Sequence, residues 1–256
     1  TLPLVPAGKY KVDATATTAY GTAKLAAPIW FEVTEEPLTV SIALPIYDAT
    51  VKLVTPSGKP IVGADIKVGP VGVGKTGAEG SVEVTQIPAG SYAVSATWFG
   101  KDVSPAAPLS VSVSRTYLMT ASKVAILQIQ VVGAQNQGLG GSSVTITPTG
   151  TTTPVFTGVT NPDGMAAVEV PYGSYEVRVS SRGVEATATV SVTADTLQKI
   201  TTGVFIEVFG QGLTFAGFAL WLIAIIIVLL ILIIAAQEYN IYRRKSLPQL
   251  FGAPGK

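Results

Sequence analysis

The stretch "PAGSYAVSATW" (Pro88–Trp98) alternates after its first turn, with Tyr92, Val94, Ala96 and Trp98 on one face and Ser91, Ala93, Ser95 and Thr97 on the other. A period of two is the mark of a half-buried β-strand. Proline and glycine supply the turn before it, and the tyrosine begins the inward row. The phrase recurs as "PAGKY" (Pro6–Tyr10) and "PYGSY" (Pro171–Tyr175), at spacings of 82 and 83 residues. The alternation follows each copy, through Tyr10, Val12 and Ala14 and through Tyr175, Val177 and Val179. Three copies at one period indicate a repeated small domain.

Working outward, "TVKLVT", "ADIKV", "SVEVTQI" and "LSVSVS" read as strands of the middle repeat, and "ILQIQVV", "SVTITP", "AAVEVP" and "EATATVSV" as strands of the last. Short strands with turn signals every eight to twelve residues or so predict antiparallel sandwiches. The first phrase stands near the start of the chain, whereas its middle counterpart stands about forty residues into its repeat. Residues 1–46 therefore read as the C-terminal part of a truncated sandwich that an upstream half-domain would complete. Complete repeats follow at 47–122 and 123–203.

One motif in the middle repeat points elsewhere. "GPVGVGKT" (Gly69–Thr76) fits G-x-x-x-x-G-K-[ST], the glycine-rich loop that cradles nucleotide phosphates. That loop needs a helix behind it, but here Gly77 and Gly80 are followed by the alternating "SVEVTQI". Superposing Gly80 on Gly164 sets "GKTGAEG" over "GVTNPDG", which keeps the glycines and the threonine and replaces Lys75 with Val159. The same turn is thus expected without the lysine, and no nucleotide is assigned.

Composition narrows the remaining chemistry. The chain is 48% hydrophobic and only 13% charged, with a net charge of +1, so no general field draws nucleic acid. It has no cysteine and no histidine, which excludes disulfides, thiolate catalysis and imidazole bases. No catalytic set, cofactor or metal site is assigned. So few ionisable groups also imply little loss of stability through proton linkage, which suits an acidic exterior.

"LTFAGFALWLIAIIIVLLILIIAA" (Leu213–Ala236) carries no charge, and at 1.5 Å per residue a helix of this length covers about 36 Å, enough to cross a bilayer. Tyr239 and Tyr242 follow as interface anchors, then the cations Arg243, Arg244 and Lys245, whereas only Glu207 lies close before the span. The positive-inside rule puts the C-terminus in the cytoplasm and the repeats outside. Residues 204–212 read as a juxtamembrane linker, 213–236 as the transmembrane helix and 237–256 as a short basic tail. Gly212, Ala216 and Gly217 offer a small-residue face for packing against a partner helix.

The phrases "GADIKV", "TGAEG" and "IPAGSY" resemble those of carboxypeptidase regulatory-like domains, transthyretin-like sandwiches related to the CnaB modules of bacterial surface proteins. The resemblance covers the middle repeat well, the last with departures, and the first from PAGKY onward. It implies stalks, spacers or interaction modules without catalytic residues. CnaB modules often carry a Lys–Asn crosslink. Lys52 lies opposite the shared face of Val51 and Leu53, and the matching strand has Gln128 and Gln130 instead, which argues against such a bond. The Ile-rich span with its basic tail resembles the anchors of archaeal envelope proteins, including those that tether surface layers.

Some side chains allow a second reading. Trp98 and Phe99 would suit an aromatic platform for sugar, but Trp98 continues the inward row; of Trp30 and Phe31, one must face outward. "NPDG" (Asn161–Gly164) has oxygens suited to calcium, but proline and glycine beside Asp163 are what a β-turn requires, and with no second cluster of acids nearby in sequence a turn is expected. Thr151–Thr153 would suit O-linked sugar and equally a loop. The expected protein is all-β, tandem Ig-like or transthyretin-like sandwiches on one C-terminal transmembrane helix. The leading functional expectation is a non-enzymatic surface stalk or scaffold with lipid and envelope proteins as partners. An accessory subunit of a membrane complex and an adhesin or carbohydrate binder are the alternatives.

Overall fold

The computed structural model describes residues 5–34, 36, 38–208 and 210–246. Among the described residues strand follows strand until a single long helix near the end. Two complete sandwiches share one plan. In the middle one, Ile46–Val54 is the central strand of a three-stranded sheet, between Ser81–Pro88, antiparallel, and Thr116–Thr120, parallel. In the last, Val124–Val132 lies between Met165–Pro171, antiparallel, and Thr196–Thr201, parallel. A four-stranded sheet faces each: Lys101–Asp102, Val94–Trp98, Asp65–Val68 and Val71–Lys75 in one, Phe156–Val159, Ser143–Pro148, Gly173–Ser181 and Val184–Val192 in the other.

Alternation in sequence becomes burial between the sheets. Val51, Leu53, Ile66, Val68 and Ile87 fill the middle core, and Leu127, Ile129, Val144, Ile146 and Val177 the last. Each such side chain contributes about 1.5–3 kcal/mol when fully buried. The parallel pair in each sandwich departs from a purely antiparallel plan and brings the last strand of the repeat back beside its first.

Equivalent turns carry equivalent constraints. Gly80 and Gly164 have φ of +70° and +77°, where a side chain is strained. A Cβ on Gly80 would stand 2.7 Å from the Leu53 carbonyl, and one on Gly164 2.7 Å from the Leu139 nitrogen. Just before each, a buried threonine ties the turn down. Thr76 Oγ1 donates to the Ile61 carbonyl at 2.6 Å and accepts from Ala64 N at 2.9 Å. Thr160 Oγ1 donates to Leu139 O at 2.7 Å and accepts from Ser142 N at 3.0 Å. The threonine shared by the two sequences is therefore a structural clamp.

The three phrases build three tyrosine corners. Tyr10, Tyr92 and Tyr175 each donate their hydroxyl to the carbonyl of the proline four residues back, Pro6, Pro88 and Pro171, at 2.8, 2.8 and 2.5 Å. Each tyrosine also opens a β-hairpin, pairing Tyr10 with Phe31, Tyr92 with Leu109 and Tyr175 with Val190. The hairpins turn back at Ala19–Tyr20, Phe99–Gly100 and Arg182–Gly183. The last two tips have positive φ at both central residues, the tight hairpin geometry that follows strand twist.

Candidate functional site: the joints between units and the anchor

The hairpin tips reach the next unit along the chain. In the first, Tyr20 packs edge-on against Tyr92 of the middle sandwich, with ring centroids 6.5 Å apart. Burial raises the pKa of both hydroxyls, so both stay neutral and keep the contact apolar.

The second joint is polar. From the loop after the central strand of the middle sandwich, Thr55 Oγ1 and Ser57 Oγ donate to Glu169 Oε2 of the last sandwich at 3.1 and 2.7 Å, and Lys59 Nζ lies 3.5 Å from the same oxygen. The Glu169 side chain is only 8% exposed. A carboxylate withdrawn from water is costly unless donors surround it, and here two hydroxyls and an ammonium do so. Beside it, at the hairpin tip, Lys101 passes over Gly173, and Asp102 pairs with Lys123 at 2.5 Å where the chain crosses between sandwiches. The Lys123 ammonium first, then Ser104, hold the Asp102 carboxyl well below the usual carboxylate range. Tyr172 N donates to the Lys123 carbonyl at 2.8 Å, so the crossing segment is fixed as well.

The third joint leads into the helix. Residues read as a linker form a hairpin, Ile206–Val208 against Gln211–Leu213. Ala134 N donates to Val204 O at 2.8 Å, and Gln137 Nε2 to the same oxygen at 3.3 Å. At the tip of the last sandwich, Arg182 Nη1 pairs with Glu207 Oε2 at 2.5 Å, and the Arg182 carbonyl accepts from Gly212 N at 3.1 Å. Phe205 packs against Phe215 and Phe218 of the helix, at centroid distances of 5.4 and 5.7 Å.

The helix spans Phe215–Ser246 and is capped by Thr214, whose Oγ1 accepts from Gly217 N at 3.2 Å. It starts later than the apolar run because Leu213 is spent in the hairpin, and it continues beyond that run rather than ending at Ala236. The segment Phe215–Arg243, of mean hydropathy 3.4, is long and apolar enough to cross a membrane. Its large side chains are exposed along its length, Leu220 at 69%, unlike those of a core helix. Tyr239, Tyr242 and Arg243 lie on its C-terminal turns; the side chains of Arg244 and Lys245 fall outside the described residues. Gly212 is not on the helix but in the hairpin, where a Cβ would meet Val204 at 3.1 Å, whereas Ala216 and Gly217 occupy its first turn.

The remaining candidates resolve locally. Lys75 ends strand Val71–Lys75 and faces Asp65 at 3.9 Å, and the nearby amides are occupied: Gly69 N by Ala93 O, Thr76 N by Ala64 O, Gly77 N by Ser81 O. Asn161 Oδ1 accepts from Asp163 N and Met165 N at 3.1 and 2.8 Å, an Asx turn. Lys52 pairs with Glu79 at 3.8 Å. Trp98 packs against the middle core; Phe31 stacks on Tyr10 and leaves Trp30 outward, 68% exposed.

The joints were not visible in sequence because their partners lie far apart, Thr55 and Glu169 by 114 residues. The loops close alike, Val54 bridging Pro60 and Val132 bridging Gly138, but their sequences, "TPSGKP" and "GAQNQG", do not recur and so gave no signal.

No family model matches the chain, and no curated protein matches it. Among solved structures it is similar to the Bacillus anthracis TIE protein, at 16% identity over 77% of this chain and 43% of that one, TM-score 0.28. It is also similar to a streptococcal ancillary pilin, at 17% over 77% and 76%, TM-score 0.25. A third is the shaft pilin SpaA of Lactobacillus rhamnosus GG, at 8% over 62% and 97%, TM-score 0.31. The chain spans less than half the length of the first. At such scores the likeness adds nothing to the sheet order and register described above.

Proposed function

We propose that this is a non-enzymatic cell-surface protein, a stalk of tandem sandwiches outside the cell on a single C-terminal membrane helix, supporting a surface layer or another envelope assembly. Continuity carries the reading: each unit is tied to the next, and the last is tied through a packed hairpin to a helix apolar enough to span a bilayer. The cations Arg243, Arg244 and Lys245, with Tyr239 and Tyr242 at the interface, orient the C-terminus to the cytoplasm. Membrane lipid and envelope proteins are the partners in this reading, and nucleic acid and nucleotide are not. Ala216 and Gly217 offer a close contact for a neighbouring helix.

Extraction of native membranes in mild detergent, followed by size analysis and mass spectrometry of what travels with the chain, tests the proposal. A self-assembled sheet or a secreted lattice protein is the expected companion. A defined complex with multi-span subunits would make the chain an accessory subunit instead, and substrate turnover by the purified protein would end the non-enzymatic reading. Trp30 is the residue on which a carbohydrate-binding role would rest, and glycan binding abolished by Trp30→Ala would favour that alternative.

A further inference from the structure

The joints share one construction. In the middle sandwich the gripping points are the loop Thr55–Lys59 and the hairpin tip at Phe99–Asp102; in the last they are the loop Gly133–Gln137 and the tip at Arg182–Gly183. The loops are equivalent in detail. Thr55 N donates to Lys59 O and Gly58 N to Thr55 O, as Gly133 N donates to Gln137 O and Asn136 N to Gly133 O. Gly58 and Asn136 both have positive φ, +86° and +65°. What the two grips hold differs completely. The middle one holds another sandwich, at Glu169 and Gly173; the last one holds a two-stranded hairpin, at Val204, Glu207 and Gly212.

We propose that the hairpin Val204–Leu213 is an adaptor that takes the place of a next sandwich in the grip of the last one, and so joins the repeat array to the membrane helix as one stiff body. Stacked repeats bury faces made for a neighbour, and an array must end in a unit that covers the final face. The hairpin does this with few residues. It presents the Val204 carbonyl to Gln137 and Ala134, and the Glu207 carboxylate to Arg182, and then hands the chain to the helix through Phe205, Phe215 and Phe218. Each grip centres on a carboxylate donated by the unit it holds, Glu169 in one and Glu207 in the other, met by cations of the gripping unit. The gripping residues differ, hydroxyls with lysine against arginine with glutamine, so each grip is keyed to its own occupant. Stiffness then belongs to the joints in series, and a tilt of the sandwiches turns the helix with them.

This deepens the stalk reading, but its test does not depend on which proteins accompany the chain in a cell. The sequence has no cysteine, so pairs of introduced cysteines carry spin labels without background. The full chain in lipid nanodiscs is labelled at Lys67→Cys with Thr187→Cys, across the second joint, and at Thr187→Cys with Leu220→Cys, across the third. Distance distributions are then read by electron spin resonance. Narrow distributions are expected for both pairs. Glu169→Ala should abolish the narrow peak of the first pair and leave the second intact; Glu207→Ala should do the reverse. Thr55→Val with Ser57→Ala, which spares the buried carboxylate, should act as Glu169→Ala does, so a folding defect in one variant does not decide the matter. A broad third-joint distribution in the parent chain, or a narrow one that survives Glu207→Ala, overturns the proposal. So does a loss at both joints from either single change.

Discussion

The hairpins that open at Tyr92 and Tyr175 begin from the same phrase and diverge within four residues. In the last sandwich, Gly173–Ser181 pairs with Val184–Val192 without a break. In the middle one, pairing holds near the tip, from Thr97 with Asp102 to the Val103 N–Ala96 O bond at 2.9 Å, and near the base, Tyr92 with Leu109, but between them Ala93–Ser95 faces the longer Ser104–Pro108. Pro105 and Pro108 cannot donate to a ladder, and the chain leaves the sheet there, opening a groove of about 320 Å³ beside Tyr117–Thr120. The first hairpin has a matching break at "AAP" (Ala26–Pro28), where the middle has "AAP" (Ala106–Pro108). The lesson is that the phrase fixes the corner, whereas the residues that follow decide whether the ladder continues.

The corner itself separates the two sandwiches most sharply. Tyr175 is completely buried, whereas Tyr92 is half-buried and leans on Tyr20. Tyr175→Ala should cost about 3–5 kcal/mol, the range for emptying an aromatic site in a core. Tyr92→Ala should cost clearly less. Hydrogen exchange read by peptide mass spectrometry on the full chain assigns each loss to its own sandwich, and equal losses would mean that the break in the middle hairpin leaves its corner as well supported as the other.

A milder substitution should bring the two sandwiches back together. Thr76 and Thr160 occupy the same position, both buried and both bonded twice. Replacing either with valine keeps the shape and leaves a buried amide, Ala64 N or Ser142 N, without its hydroxyl partner, at about 1–3 kcal/mol. The Ile61 carbonyl loses the Thr76 hydroxyl as well, whereas the Leu139 carbonyl still accepts from Ser142 Oγ at 2.9 Å. The effects of Thr76→Val and Thr160→Val should be close, with Thr160→Val the milder, each confined to its own sandwich by the same exchange measurement. A difference as wide as that between the tyrosines would show that the clamp is not the common element of the two turns.

Much of this plan was readable in advance because it is local. Period-two alternation, the phrase before each tyrosine, and the glycine and threonine around Gly80 and Gly164 lie within a few residues of what they build. The same locality disposed of the phosphate-loop pattern, since a following strand can be read from "SVEVTQI" alone. What escaped was held by distance or by direction. Glu169 gives no sign in its neighbourhood that Thr55 and Ser57 will meet it, and the parallel pairing of Thr116–Thr120 with Ile46–Val54 needs a crossover that no short window contains. Gly212 reads as one step of a small-residue face with Ala216 and Gly217 because that spacing does not show that Gly212 and Leu213 pair back with Glu207 and Ile206.

Alkaline titration probes the buried corner in another way. Burial pushes the Tyr175 hydroxyl well above the ordinary tyrosine value, so the folded form resists ionising while the unfolded form ionises near pH 10. A folded-state pKa raised in this sense leaves stability intact below about pH 10 and removes it progressively as pH rises beyond. The last sandwich should therefore weaken steadily in strong alkali. Tyr175→Phe, which gives up one hydrogen bond worth about 1 kcal/mol at neutral pH, should flatten that alkaline slope. An unchanged slope would place the linkage in other groups.

The smallest effect falls on the crossing segment. The Asp102 carboxyl is held low by Lys123 and Ser104, so its folded-state pKa lies below the unfolded one. The stability this contributes is present above about pH 4 and is lost as pH falls through the depressed value. Both side chains are about half exposed, so the worth of the pair is set by solvent screening at about 0.2–1 kcal/mol rather than by the size of the shift. A chain so poor in ionisable groups should lose little in acid, and this pair marks where a small loss should appear. The tip of the last sandwich offers the contrast, since there the gripping cation is Arg182 and the carboxylate belongs to the held hairpin. Hydrogen exchange around Lys101–Lys123 should quicken between pH 4 and 2, and in molar salt, once corrected for the intrinsic dependence of exchange on pH. Asp102→Asn should remove both responses. If the variant keeps them, the crossing segment is held by the Tyr172–Lys123 backbone bond, and the ion pair is a consequence of that geometry rather than a cause.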